Sequence, residues 1–379
     1  MNAPTRHAIS ADYLFDGMTL HRDAVAVIED SRIAVIVSKS DAVGLPVHTL
    51  PEGAWLAPGF VDIQVNGGGD VLFNDTPTAS AISTIAAAHR KFGTTGFLVT
   101  LITDSPEKTP LAMEAVRTAM TVEPSLLGLH LEGPFISRER AGVHNKEFIR
   151  PPTPADIETL IGWPGEGALV VTLAPEHVPA GMIAKLAARG IRVCLGHSMA
   201  TYQQTRSAIA EGLSGFTHLF NAMRGLESRE PGPIAAALES SACSYGLIAD
   251  GVHVAPAMLR LALRGLGSPM LVTDAMPPVG GNRSEFMLYD QKIRLTNDRC
   301  VRDDGTLAGA YLDMASAVRN CVRFLGLPLE NALQVATANP GAFLGLQVGR
   351  LAPGYRADMI AIDPHRIAVL RTWVAGRPQ

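Results

Sequence analysis

Eight strand-length apolar runs, helical segments that stop at glycine, and β-rich stretches at both ends of the chain predict an α/β fold. The expected architecture is a (β/α)8 TIM barrel with a small β-sandwich-like domain formed by both termini. The apolar runs lie at residues 60–65, 96–101, 126–130, 168–173, 191–195, 215–218, 244–249 and 270–273. Near-continuous apolar strands that alternate with helices belong to a parallel sheet covered on both faces. Eight of them within about 220 residues argue for a closed barrel over an open doubly wound sheet. The open sheet would carry a GxGxxG turn after its first strand, and none stands there.

Each element follows from local chemistry. Ala24-Val25-Ala26-Val27-Ile28 and Arg32-Ile33-Ala34-Val35-Ile36-Val37 are β-rich runs on either side of Glu29-Asp30-Ser31, a hairpin-like arrangement. The last 29 residues resume that character, with strands at 357–362 and 367–374 and a turn at Ala375-Gly376-Arg377. Residues 1–57 and 351–379 are therefore expected to combine into one small β-domain, flanking a barrel at 58–350. Within the barrel, helical patterns at 80–92, 179–189, 201–211 and 256–264 are followed by Gly93, Gly190, Gly212 and Gly265. Glycine suits the position just past a helix, where left-handed backbone closes the last turn.

Composition bounds the function. The chain has 379 residues, 47% of them hydrophobic and 18% charged, enough for a sizeable core. A net charge of −4 without a basic tract speaks against a nucleic-acid partner. Cys194, Cys243, Cys300 and Cys321 are widely spaced with no CxxC pair, as reduced thiols of a cytoplasmic protein would be. Residues 1–12 lack the apolar centre of a secretory signal. No apolar stretch approaches the roughly 18 residues of a membrane span, so no membrane association is expected.

Barrel enzymes place their chemistry at the C-terminal ends of strands. Six of the eight runs end in polar or ionisable groups: Gln64 and Asn66, Glu132, His197, His218, Asp250 and His253, and Asp274. Either histidine alone reads equally well as a hydrogen-bonded core residue. Together with Glu132 they make two imidazoles and a carboxylate, three ligands with one open position, as in a catalytic zinc-type site. Asp274 could cap the next helix. Opposite a metal that acidifies water, it could instead accept a proton and pass it to a leaving amine.

Pro58-Gly59-Phe60-Val61-Asp62 after a β-rich start resembles the entrance of the amidohydrolase superfamily. The resemblance narrows with Leu129-His130-Leu131-Glu132-Gly133-Pro134-Phe135, Gly142-Val143-His144-Asn145 and Leu195-Gly196-His197-Ser198. It continues through Thr217-His218-Leu219-Phe220-Asn221-Ala222-Met223, Arg229-Glu230-Pro231-Gly232 and Ile248-Ala249-Asp250-Gly251-Val252-His253. Val272-Thr273-Asp274-Ala275 and Gly305-Thr306-Leu307-Ala308-Gly309 complete it. In this order, over about residues 50–350, the motifs are similar to those of the N-acetylglucosamine-6-phosphate deacetylases.

The resemblance implies hydrolysis of the acetamide of an amino-sugar phosphate. It implies metal ligands at Glu132, His197 and His218, an acid/base at Asp274, and carbonyl polarisation or oxyanion stabilisation by His144. By residue type, His144 on its own would read as a solvated loop residue, and Arg229 in its charged run as a surface residue. Implied sugar-phosphate contacts are Asn221, Ala222, Arg229, Asp250 and His253, with Val143, Leu307, Ala308 and Gly309 against the sugar. A neighbouring subunit supplies some phosphate contacts in similar proteins, so a homodimer or homotetramer is expected. Where many amidohydrolases hold a second metal with His-x-His, this chain has Gln64-Val65-Asn66, and amides are poorer ligands than imidazole. No bridging lysine follows the fourth run, Leu173-Ala174-Pro175-Glu176. One divalent ion per subunit follows, zinc first and iron or another divalent ion next, with Gln64 and Asn66 facing substrate or supporting the ligands. N-acetylgalactosamine 6-phosphate is the alternative substrate. A catalytically inactive sugar-phosphate-binding barrel is the alternative of another class.

Overall fold

A computed structural model describes residues 6–42, 44–163 and 167–379. Residues 1–5 and 43 of the expected terminal domain, including the start of the 1–12 stretch, lie outside the described residues. Strands β1 (Phe60–Val65), β2 (Thr94–Ile102), β3 (Leu126–Glu132), β4 (Ala168–Leu173), β5 (Arg192–Leu195), β6 (Gly215–Phe216), β7 (Ser244–Leu247) and β8 (Ser268–Leu271) form the barrel. Neighbours in sequence are neighbours in one sheet, and every pair along it is parallel. The ends meet through an isolated Val65–Ala275 bridge.

Three strands, β6, β7 and β8, stop short of their apolar runs, and at β6 and β8 the reason is local. The β6 ladder ends at Phe216 and the chain then turns left-handed at His218, φ 30°. β8 ends at Leu271 ahead of Asp274, φ 51°. Hydrogen-bonded extended backbone cannot pass through such angles.

The expected helices form as Ala79–Arg90, Met182–Ala187, Tyr202–Ala210 and Pro256–Ala262. Thr78 caps the first, and a reciprocal Thr201–Gln204 capping box starts the third. Gly93, Gly190 and Gly212 take positive φ of 85°, 77° and 111°. Gly265 serves packing instead, since a Cβ there would stand 2.7 Å from the Tyr245 hydroxyl.

Strands from both chain ends join one eight-stranded, mostly antiparallel sheet. Trp55–Pro58 pairs with Met359–Asp363 and with Arg6–Phe15, which ties the ends together. The Glu29–Arg32 hairpin and the Ala375-Gly376 turn stand where the sequence expects turns. After β8 comes an antiparallel four-stranded sheet, Glu285–Leu288, Gln291–Thr296, Arg299–Val301 and Leu307–Ala310, which the sequence reading does not anticipate. Its Leu288, Ile293, Cys300 and Ala308 pack on Leu72, Ile102 and Met276 beside the barrel mouth. Helices Met314–Leu325, Leu329–Ala336 and Ala338–Leu344 follow. Among the described residues no helix is long and apolar enough to cross a membrane.

Candidate active site

Glu132 is the last residue of β3, while His197 and His218 follow β5 and β6. Their side chains converge. Glu132 Oε1 stands 2.9 Å from Nε2 of each histidine, and the two Nε2 atoms are 3.1 Å apart. Ligand atoms about 2.0–2.2 Å from one tetrahedral ion would be spaced by about 3.3–3.6 Å, so these three atoms need to part by only a few tenths of an ångström to admit one. His197 Nδ1–H donates to the Arg140 carbonyl at 2.7 Å, which leaves the Nε2 lone pair for a metal. Burial pushes the Glu132 carboxyl up, but its hydrogen bonds to His197 and His218 prevail and hold it well below the usual carboxylate range. His218 is raised by the same contacts against the opposing effect of burial. The donor set therefore fits a divalent cation.

Glu132, His144 and His197 also converge within 4.8 Å, but His144 is the outlying member. Its Nε2 is 4.0 Å from Glu132 Oε1. Thr103 N–H donates to its Nδ1 at 3.4 Å, and the Thr103 hydroxyl lies 2.8 Å from the same atom. Nδ1 then acts as acceptor and Nε2 carries the proton. Burial and the neighbouring His197 charge lower the His144 pKa well below the ordinary imidazole range, so it is a neutral donor at the cavity wall.

Asp274 Oδ1 accepts the side-chain amides of Asn66 at 2.6 Å and Gln64 at 3.2 Å. Gln64 also donates to Glu132 Oε2 at 3.1 Å, linking the two carboxylates. Burial and then the Glu132 charge raise the Asp274 carboxyl to about 6, a value suited to accepting and returning a proton near neutrality. Asn66 Oδ1 is buried without a partner among the described residues, a spare acceptor on the cavity wall.

These groups border a cavity of about 370 Å³ that Asn66, Val143, Asn221, Ala222, His253, Leu307 and Gly309 also line. Gln64 and Ala308 are buried and are not among the residues that line it. Asp250 stands behind His253, its Oδ2 accepting a hydrogen bond from Nδ1–H at 2.6 Å, so that Nε2 is left for the cavity. Asn221 gives its backbone N–H to the His218 carbonyl at 2.9 Å. Ala222, held left-handed at φ 48°, has an N–H that no hydrogen bond among the described residues takes. Arg229 is exposed and is not part of this wall. Among the described residues the wall's one cationic side chain is Arg140. Sequence reasoning missed it, because nothing in Arg138-Glu139-Arg140 marks which arginine turns inward.

Comparison with known proteins extends these observations. A family model, the amidohydrolase family, matches residues 55–378. The chain is 42% identical over 337 residues to the N-acetylgalactosamine-6-phosphate deacetylase of Shewanella sp. (strain ANA-3), covering 87% of this chain and 84% of that protein. It is 36% identical over 340 residues to the N-acetylglucosamine-6-phosphate deacetylase of Homo sapiens, covering 86% and 83%. The crystal structure of N-acetylglucosamine-6-phosphate deacetylase from Pasteurella Multocida superposes with a TM-score of 0.94 at 31% identity, over 99% of each chain.

Proposed function

The chain belongs to the amidohydrolase family, and on that premise we propose that it hydrolyses N-acetyl-D-glucosamine 6-phosphate to acetate and D-glucosamine 6-phosphate. One observation carries the reading. Two histidines and a glutamate suited to a metal, a neutral histidine donor and a carboxyl raised to about 6 border a single cavity. Glu132, His197 and His218 would hold one divalent ion, which when bound supplies acidification of water and polarisation of the acetyl carbonyl.

The chain's own residues do the rest. Asp274 takes the proton of the attacking water as the new C–O bond forms. It then delivers that proton to the nitrogen as the C–N bond breaks, so that amine and acetate leave. His144 Nε2–H donates to the carbonyl oxygen as negative charge builds there. Ala222 N–H and His253 suit the phosphate, and binding the phosphate fixes the amide remote from it. Arg229, exposed in the single chain, would serve a phosphate in a neighbouring subunit's cavity, an arrangement that requires the expected homodimer or homotetramer.

Zinc is the first choice of metal and iron or another divalent ion the second, since imidazole and carboxylate suit several. Four buried free cysteines support a cytoplasmic setting. The terminal sheet supports treating 1–57 and 351–379 as one unit beside the barrel at 58–350. Acetate release from N-acetyl hexosamines, each with and without the 6-phosphate, tests the activity. No release from any of them by metal-loaded protein would leave a sugar-phosphate-binding barrel. A second reading, N-acetylgalactosamine 6-phosphate as preferred substrate, draws on the 42% identity to the Shewanella relative. The ratio of kcat/KM for the two phosphorylated epimers decides between them.

A further inference from the structure

The strand that opens the barrel carries a carboxyl group that the chemistry above does not use. Asp62, in β1, is 0% exposed, in an interior that TIM barrels fill mainly with bulky branched apolar residues. Burial pushes this carboxyl up to about 7 although three donors aimed at it act the other way. An apolar residue here would avoid that desolvation. Its partners indicate what it holds. Oδ1 accepts the backbone N–H of Gln64 at 3.1 Å and of Thr273 at 3.3 Å, and Oδ2 accepts the Thr273 hydroxyl at 2.5 Å.

β1 and β8 share no ladder among the described residues, so Asp62 spans the seam where the barrel closes. Both of the residues it grips adjoin working groups. Thr273 precedes Asp274, whose N–H donates to the Gln64 carbonyl at 3.0 Å. The Gln64 side chain reaches Asp274 Oδ1 at 3.2 Å and Glu132 Oε2 at 3.1 Å. Asp274 is left-handed at φ 51°, a conformation that persists only where its surroundings over-determine it.

We propose that Asp62 is a positioning residue for the deacetylation, tying Gln64 to Thr273 across the barrel seam so that the Asp274 carboxyl is aimed at the reacting amide. The inference rests on the reading of Asp274 as the proton shuttle. Asp62→Val and Thr273→Val sever the tie from opposite sides, whereas Asp62→Asn retains an oxygen for the two N–H groups. In the metal-loaded enzyme, kcat should fall on the order of 10²-fold in Asp62→Val and about tenfold in Thr273→Val, the scale of a misplacement near 1 Å. KM should stay within about twofold because the lost interaction belongs to the chemical step. Metal content should be unchanged, and Asp62→Asn should recover most of the lost kcat.

A merely structural Asp62 would lower Tm and yield but leave kcat per metal-loaded molecule at the wild-type value, which would overturn the proposal. Should Asp62→Val fail to fold, Thr273→Val decides alone, and wild-type kcat in that variant is the same refutation. Asp274→Asn measured alongside separates the two claims. Full activity there removes the shuttle, whereas an inactive Asp274→Asn beside a fully active Thr273→Val removes only the positioning role.

Discussion

Replacing Asp274 by asparagine isolates proton transfer from everything else the residue does. Both hydrogen bonds that hold the side chain end on Oδ1, from Asn66 at 2.6 Å and Gln64 at 3.2 Å. Asparagine keeps an oxygen there, so the side chain should stay in place and the Glu132, His197 and His218 set should be untouched. What disappears is a carboxyl with a pKa raised to about 6, and with it a group able to take and return a proton. General acid–base catalysis contributes about 10²- to 10⁴-fold, equivalent to about 2.7–5.4 kcal/mol of activation free energy. Asp274→Asn should therefore lose about that factor in kcat while KM and bound metal change little. Steady-state acetate release, paired with metal analysis of the same sample, reads both quantities. Near-normal turnover in a fully loaded variant would remove Asp274 from the mechanism, and loss of the metal would mean that it supports the ligands instead.

Other variants probe the rest of the reading. Arg229→Ala should cost the phosphorylated substrate about 1.5–3 kcal/mol in kcat/KM, the worth of a charge-assisted bond, and spare unphosphorylated N-acetylglucosamine; equal losses on both would assign Arg229 to structure. Dialysed protein should hold one metal equivalent per subunit, and His197→Ala or His218→Ala should lose most of it with the activity. Gln64→His combined with Asn66→His should recruit at most a weak second ion without raising turnover; two tightly held equivalents in the wild type refute the single-metal site. Outside the cavity lining, Arg150 makes two 2.6 Å bonds to Asp156 and holds its carboxyl down at about 2. A depressed carboxylate stabilises the fold above its unfolded pKa of about 3.9 and loses that contribution as pH falls through the folded value. Asp156→Asn should thus cost about 1 kcal/mol at pH 7 for so accessible a pair, a gap that narrows between about pH 4 and pH 2; denaturant melts across that range would refute the assignment if the gap stayed constant.

The barrel was legible because its strands are buried on both faces, as in Phe60–Val65 and Thr94–Ile102, where every residue is inaccessible. Glu132, His197, His218 and Asp274 stood out against those runs as ionisable groups at apolar strand ends. The sheet after β8 was missed for the opposite reason. Gln291–Thr296 buries only Ile293 and Glu285–Leu288 only Leu288, so neither offers a continuous apolar signal. The helix Met314–Leu325 was within reach, since Met314, Ala317, Val318 and Cys321 recur at helical spacing and are buried together. Arg140 was not: its inward turn depends on a loop path that local spacing does not encode.

The left-handed backbone at His197, His218 and Asp274, with φ of 48°, 30° and 51°, sets heat tolerance against turnover. Each such residue with a Cβ costs about 1–2 kcal/mol, so the three together forgo a few kcal/mol of a net stability that is ordinarily only about 5–15 kcal/mol. A barrel in which these turns had relaxed would be harder to melt and would no longer gather its ligands. Selection for thermal resistance alone would accordingly enrich inactive variants at these three turns, and a screen for hardier forms of this enzyme has to score acetate release in the same pass.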